Sequence, residues 1–202
     1  MKQYSLRTLI GFVIFIAIDS QFVYSQEIRK FGQQGTWELG GSAAYINSTQ
    51  VTNGNTGSTI SAFLLSPYVG VFLTDGFEIG INPLGYSTTS SINSSTTSIN
   101  TFIAPSYNFK TETALFPFIE AQIGYTSMND KITLSSPFNT TVETKRGGMS
   151  WGGRAGIKGE IVSHGLLNIA IQYQQRNLTP DGATNRSGYN EIFFSLGFTL
   201  WL

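Results

Sequence analysis

The last fourteen residues, Tyr189 to Leu202, place a large apolar side chain at every second position. Ile192, Phe194, Leu196, Phe198, Leu200 and Leu202 share one parity, and Glu191, Phe193, Ser195, Gly197, Thr199 and Trp201 share the other. Strict alternation is the signature of a strand with two unlike faces. Seven earlier stretches repeat it: Thr36–Ile46, 59–73, Phe77–Ser87, Ile99–Phe109, Leu115–Thr126, Gly148–Ile161 and Leu166–Asn177. No segment after residue 35 has helical period. The pattern predicts eight strands of about 10–12 residues, the length a tilted strand needs to cross a bilayer.

The connections alternate in length. Turns at 74–76, 110–114 and 162–165 are short, and the first carries the Asp75-Gly76 hairpin signal. Polar stretches at 47–58, 88–98, 127–147 and 178–187 are expected to be long solvated loops. Short turns at one end and long loops at the other are the asymmetry of an outer-membrane barrel.

Charge strengthens that picture. Only 12% of the 202 residues are charged, about half the usual ~25% of a soluble domain. The strand charges keep to the non-greasy parity: Glu38, Glu78, Glu120, Arg154, Lys158, Glu160, Arg176 and Glu191. These eight are expected to form a polar network inside the barrel, because a buried charge is tolerable only when paired. Glu38, Glu78 and Lys158 fall toward the periplasmic half, and Arg176 and Glu191 flank the last outer loop. An eight-stranded barrel has room for side chains but not for an open pore. Trp37, Phe77 and Trp201 at one end, with Tyr45, Tyr125, Trp151, Tyr173 and Tyr189 at the other, are expected to form two interfacial belts.

Residues 1–25 read as a secretory signal: Lys2 and Arg7, an apolar run Leu9–Ile18, and cleavage after Ser25. The run is well short of the ~20 residues of a membrane helix. Residues 26–35 read as a short, patternless periplasmic lead-in, and 36–202 as the barrel. Without residues 1–25 the chain has 10 basic and 11 acidic residues, so no basic excess points to nucleic acid. The absence of cysteine excludes a disulfide frame or a thiolate metal site.

The segments 37–45 (WELGGSAAY), 66–80 (SPYVGVFLTDGFEIG), 104–110 (APSYNFK), 116–125 (FPFIEAQIGY) and the terminal strand carry a family resemblance. The chain resembles the small eight-stranded outer-membrane barrels, represented by the transmembrane domain of the outer-membrane protein A family and by the protein X family. The resemblance covers roughly 36–202 and implies an all-β, antiparallel, up-and-down transmembrane barrel. It also implies that the terminal strand Ile192–Leu202 is read by the barrel-insertion machinery. Members usually end in an aromatic residue; here the end is Trp201-Leu202.

Little in the chain carries chemistry. The one histidine, His164, falls in a predicted periplasmic turn, where Ser163 is expected to point away from it. Gly152, Gly153 and Gly156 lack the Lys-Ser/Thr ending of a phosphate loop and are expected to make room for Arg154. No catalytic set, cofactor site or metal cluster is expected. The sequence therefore predicts a monomeric, non-enzymatic bacterial outer-membrane protein in contact with lipid, with a structural or adhesion-like role and with outer loops that meet an extracellular ligand. The alternatives are an outer-membrane lipid-modifying enzyme and a soluble lipocalin-like carrier of an apolar ligand.

Overall fold

The computed structural model describes residues 30–202 apart from 53–54, 92–93, 135–139 and 181–186. The signal segment and residues 26–29 of the lead-in lie outside the described residues. Eight strands follow in order: β1 Trp37–Thr52, β2 Asn55–Thr74, β3 Phe77–Ser91, β4 Ser94–Asn108, β5 Leu115–Leu134, β6 Thr140–Val162, β7 Gly165–Pro180 and β8 Ser187–Trp201. Each pairs antiparallel with its neighbours, and β8 returns to β1, so the sheet is a closed barrel. The seam runs from Glu38↔Trp201 to Thr52↔Ser187. A closed ring leaves no edge strand to pair with foreign chains.

The outer wall is what the alternation predicts. Ile192, Phe194, Leu196, Phe198, Leu200 and Leu202 all face outward and are exposed, as are Phe63, Leu65, Val69 and Leu73 on β2. From Phe63 to Leu73, at about 3.3 Å per residue and a tilt of ~40°, the apolar band is roughly 25 Å tall. That is a hydrocarbon-matched belt, and in water it would be an aggregation surface.

Three findings depart from the sequence reading. First, most of the expected outer loops are strand. β5 and β6 stay paired from Leu115↔Gly159 to Leu134↔Thr140, and β3 and β4 run on to Ser91↔Ser94. Ser, Thr and Asn leave no apolar parity to read, yet their backbones continue the ladder beyond the belt. Second, Trp201 and Tyr189 are not in the belts. Both are on the inward parity and buried, at 6% and 5% exposure. Trp37, Phe77, Tyr45, Tyr125, Trp151 and Tyr173 do face outward.

Third, the lead-in is not patternless. Phe31 is buried in an apolar cluster with Phe72, Leu166 and Trp201, with Phe116 against it. The segment from Phe31 to Thr36 folds across the short-turn end of the ring. Gly32 and Gly35 take φ values of 80° and 79°, which only glycine adopts without cost. The backbone N–H of Gly35 donates to the Phe72 carbonyl at 2.8 Å, and that of Gly76 donates to the Gly32 carbonyl at 2.8 Å.

The same segment is tied to the first turn. The Gln34 N–H donates to the Asp75 carboxylate at 2.9 Å, and Lys110 reaches it at 2.6 Å. The Lys110 hydrogen bond first, and the Gln34 bond second, hold Asp75 below its ordinary carboxylate range. A depressed carboxyl contributes stability above its unfolded value and loses it as pH falls through the folded one. In detergent micelles, protection of the Gln34 amide should therefore drop once the pH passes below the ordinary carboxylate range. Asp75→Asn should remove that step; an unchanged profile in this variant would mean that the anchor lies elsewhere.

Prolines mark two of the places where the ladder slips. The β2–β3 register shifts between Leu65 and Val69, and the β3–β4 register between Asn82 and Gly85. Pro67 and Pro83 occupy these gaps and bring no N–H to the ladder. The Thr101 hydroxyl donates to the Pro83 carbonyl at 2.9 Å and satisfies it there.

Candidate functional site

The inward faces of the eight strands fill the lumen in tiers. Nearest the short turns is the Phe31 cluster. Above it lies the first charge group, built by β1, β3 and β6. Lys158 Nζ sits 2.5 Å from Glu38 Oε2 and 3.6 Å from Glu78 Oε2. Glu78 also accepts from Ser106 Oγ at 3.0 Å and Asn108 Nδ2 at 3.2 Å. All three charged side chains are at most 1% exposed.

The next tier pairs β6 with β5. Arg154 Nη2 donates to Glu120 Oε2 at 2.7 Å. Gln122 donates to the second Glu120 oxygen at 2.7 Å, and Gln172 donates in turn to Gln122 at 2.7 Å. Between the two tiers stand two rings. Phe118 has the Lys158 amine at 5.1 Å and the Arg154 guanidinium carbon at 5.3 Å; Tyr68 has them at 6.0 Å and 5.5 Å. Each cation is thus held by carboxylate and by ring faces.

Tyr68 fits because two neighbours are glycines. A Cβ on Gly80 would fall on the Tyr68 ring, and one on Gly70 would overlap Glu78 Oε1. The room made by glycine is here, on β2 and β3. Gly152 and Gly156, expected to accommodate Arg154, instead lie against the β7 backbone at Tyr173 and Ile169.

Toward the long hairpins, Arg176 Nη2 lies 2.8 Å from Glu191 Oε2, and Arg176 Nη1 donates to Ser98 Oγ at 2.9 Å. The Arg176–Glu191 pair is a contact of charges rather than an aligned hydrogen bond. Ala44, Ile46, Leu64 and Phe193 form an apolar tier of their own. At the mouth, Arg146 pairs with Asp130, donates to the Tyr189 hydroxyl at 3.0 Å and lies over its ring. Thr96 donates to the same Asp130 at 2.7 Å.

Of the eight residues read as an interior network, seven are thus in contact with a counter-charge: Glu38, Glu78 and Lys158; Glu120 and Arg154; Arg176 and Glu191. Glu160 is not among them. It has the inward parity but lies near the β6–β7 turn and is exposed, where water solvates it. Sequence reasoning missed Phe31, Tyr68, Phe118 and the Asp130–Arg146 pair. The first is a lone aromatic in polar chain, and the last two charges fell in an expected loop.

His164 also departs from expectation in one respect. It sits exposed in the turn, with φ 65°, but the Ser163 hydroxyl lies 2.9 Å from its Nδ1 instead of pointing away. Its ring rests on Trp201 at 4.3 Å, and its carbonyl accepts from the Trp201 backbone N–H at 2.9 Å. No cluster of three metal-ligating side chains occurs among the described residues.

A closed eight-stranded ring, apolar outside and filled with paired charges and rings inside, is a transmembrane β-barrel of the small outer-membrane type. Solved structures carry the same fold. The crystal structure of Neisserial surface protein A matches 83% of this chain and 99% of its own, at 12% identity and a TM-score of 0.53. The attachment invasion locus protein of Yersinia pestis, Ail, crystallised with the heparin analogue sucrose octasulfate, matches 83% of this chain and all of its own, at 12% identity and a TM-score of 0.55. At these identities the likeness is one of fold. No protein-family model matches the chain, and no curated protein matches it in sequence.

Proposed function

We propose that the chain is exported, loses its signal near Ser25 and resides as a monomer in the bacterial outer membrane, with a non-enzymatic structural or surface-interaction role. In this reading the short turns face the periplasm and the long hairpins face outward. The observation that carries it is the division of surfaces. A belt of apolar side chains needs lipid, while the β3–β4 and β5–β6 ladders continue past it as polar sheet. Such polar surface beyond the belt is placed to contact partners. The packed tiers support a barrel without an open pore. Ail is described by its name as an attachment and invasion protein, and an adhesive role for the hairpins here is the matching proposal.

Two measurements test this. After detergent phase partition the folded chain should enter the detergent phase and show heat-modifiable gel mobility; an aqueous, unmodifiable protein would sink the membrane reading. Cells displaying the chain should adhere to host-matrix-coated surfaces more than cells without it, and should lose that gain when the β3–β4 and β5–β6 hairpins are shortened. Equal adhesion before and after shortening would leave a structural role alone.

A further inference from the structure

The Phe31 ring closes the short-turn end of the lumen, but the segment that carries it belongs to no strand. Its neighbours form a cup. Phe116 lies at 4.8 Å and Phe72 at 5.2 Å, both edge to face, and Trp201 lies at 6.4 Å. Leu166 completes the wall, and the Lys158 amine lies 5.3 Å beneath the ring as a cationic floor. The rim meets main-chain groups of the segment: the Phe72 carbonyl takes the Gly35 N–H, the Gly76 N–H donates to the Gly32 carbonyl, and the Asp75 carboxylate takes the Gln34 N–H. None of these reads a side chain, so selectivity falls on the aromatic anchor.

Two polar atoms at the same place lack hydrogen-bond partners among the described residues. They are the Thr36 hydroxyl and the Trp201 indole N–H, both buried. Buried orphans cost free energy, and both would gain water if the segment moved away. A segment outside every strand, anchored by a buried ring and by backbone bonds to the first turn, belongs to the low-stability part of a fold, in contrast to the barrel it covers.

We propose that the short-turn mouth is a binding site for the aromatic side chain of a short peptide, and that Phe31–Thr36 is its tethered, releasable occupant. Release opens Glu38, Glu78 and Lys158 to water from that end. Docking keeps the first charge tier dry. The cup takes an aromatic ring because ring edges meet its walls and a ring face meets the ammonium.

The test uses the mature chain with Trp37→Phe and Trp151→Phe, leaving Trp201 as the sole indole. Iodide should quench its fluorescence poorly. Phe31→Ala should raise the quenching constant several-fold while heat-modifiable mobility persists. A synthetic peptide of residues 28–36 should then restore protection, and the same peptide with alanine in place of the phenylalanine should not. If Phe31→Ala does not refold, Phe31→Leu asks the same question with a smaller change. Quenching that is already high with Phe31 present, or unchanged by its replacement, overturns the occupant. Failure of the aromatic peptide to protect, or equal protection by both peptides, overturns the site.

Discussion

Lys158→Met should lower the stability of the folded barrel by about 3–5 kcal/mol, the cost of stranding buried charge by removing one partner. Lys158 is the counter-charge in contact with two carboxylates, Glu38 and Glu78, neither of which reaches water. Methionine fills similar volume and keeps contact with the Phe31 and Phe118 rings, so lost packing is a small part of the effect. What remains is a pair of carboxylates in one dry tier. Urea unfolding in lipid vesicles, followed by gel mobility, measures the change. The double variant Glu38→Gln/Lys158→Met should recover part of the loss, since it removes one stranded charge. A double variant no more stable than the single one would show that the charges are not coupled.

Leu196→Arg should cost about 2–4 kcal/mol, the depth-dependent penalty for a cation on the lipid face of a barrel near the midplane. Leu196 lies near the middle of the outward row Ile192–Leu202 and pairs across the seam with Ala43. Arginine at Leu202, at the end of the row, should cost much less because its side chain reaches the interface. The contrast separates membrane from water. In a soluble barrel either arginine would be a surface change within about ±0.5 kcal/mol. Equal, small effects at both sites would exclude a lipid-facing wall.

The barrel was legible because lipid demands a greasy residue at every outward position, so Ile, Leu and Phe print the period directly. Where that demand ends, the print ends. Thr88, Thr97 and Thr133 lie on strand extensions beyond the belt, and no apolar alternation announces them. The inward parity was only half legible. Charges such as Glu38 and Arg176 stood out on it, whereas Phe72, Phe118 and Phe193 blurred it, being apolar on the face expected to be polar. Their partners are set by register across strands distant in sequence. Pairing Glu120 with Arg154 follows from the β5–β6 register; Lys158 with Glu38 crosses the lumen and has no local signal. Phe31 was unreadable for a simpler reason. One ring between polar residues has no period, and only Gly32 and Gly35 hint that the chain bends there.

The ring is completed by a seam between the first strand and the last. The Trp37 N–H donates to the Leu202 carbonyl at 2.9 Å, and the Leu202 N–H returns to the Trp37 carbonyl at 3.0 Å. All other pairings join strands adjacent in sequence and can zip locally, but this one waits for nearly the whole chain. Its contacts have the greatest sequence separation and carry the largest loop-closure entropy, so closure should be the slow step of folding. Until then both seam strands are open edges. Such a chain is at its greatest risk of aggregation just before it is finished, and a change that weakens the seam should slow assembly more than it destabilises the assembled barrel.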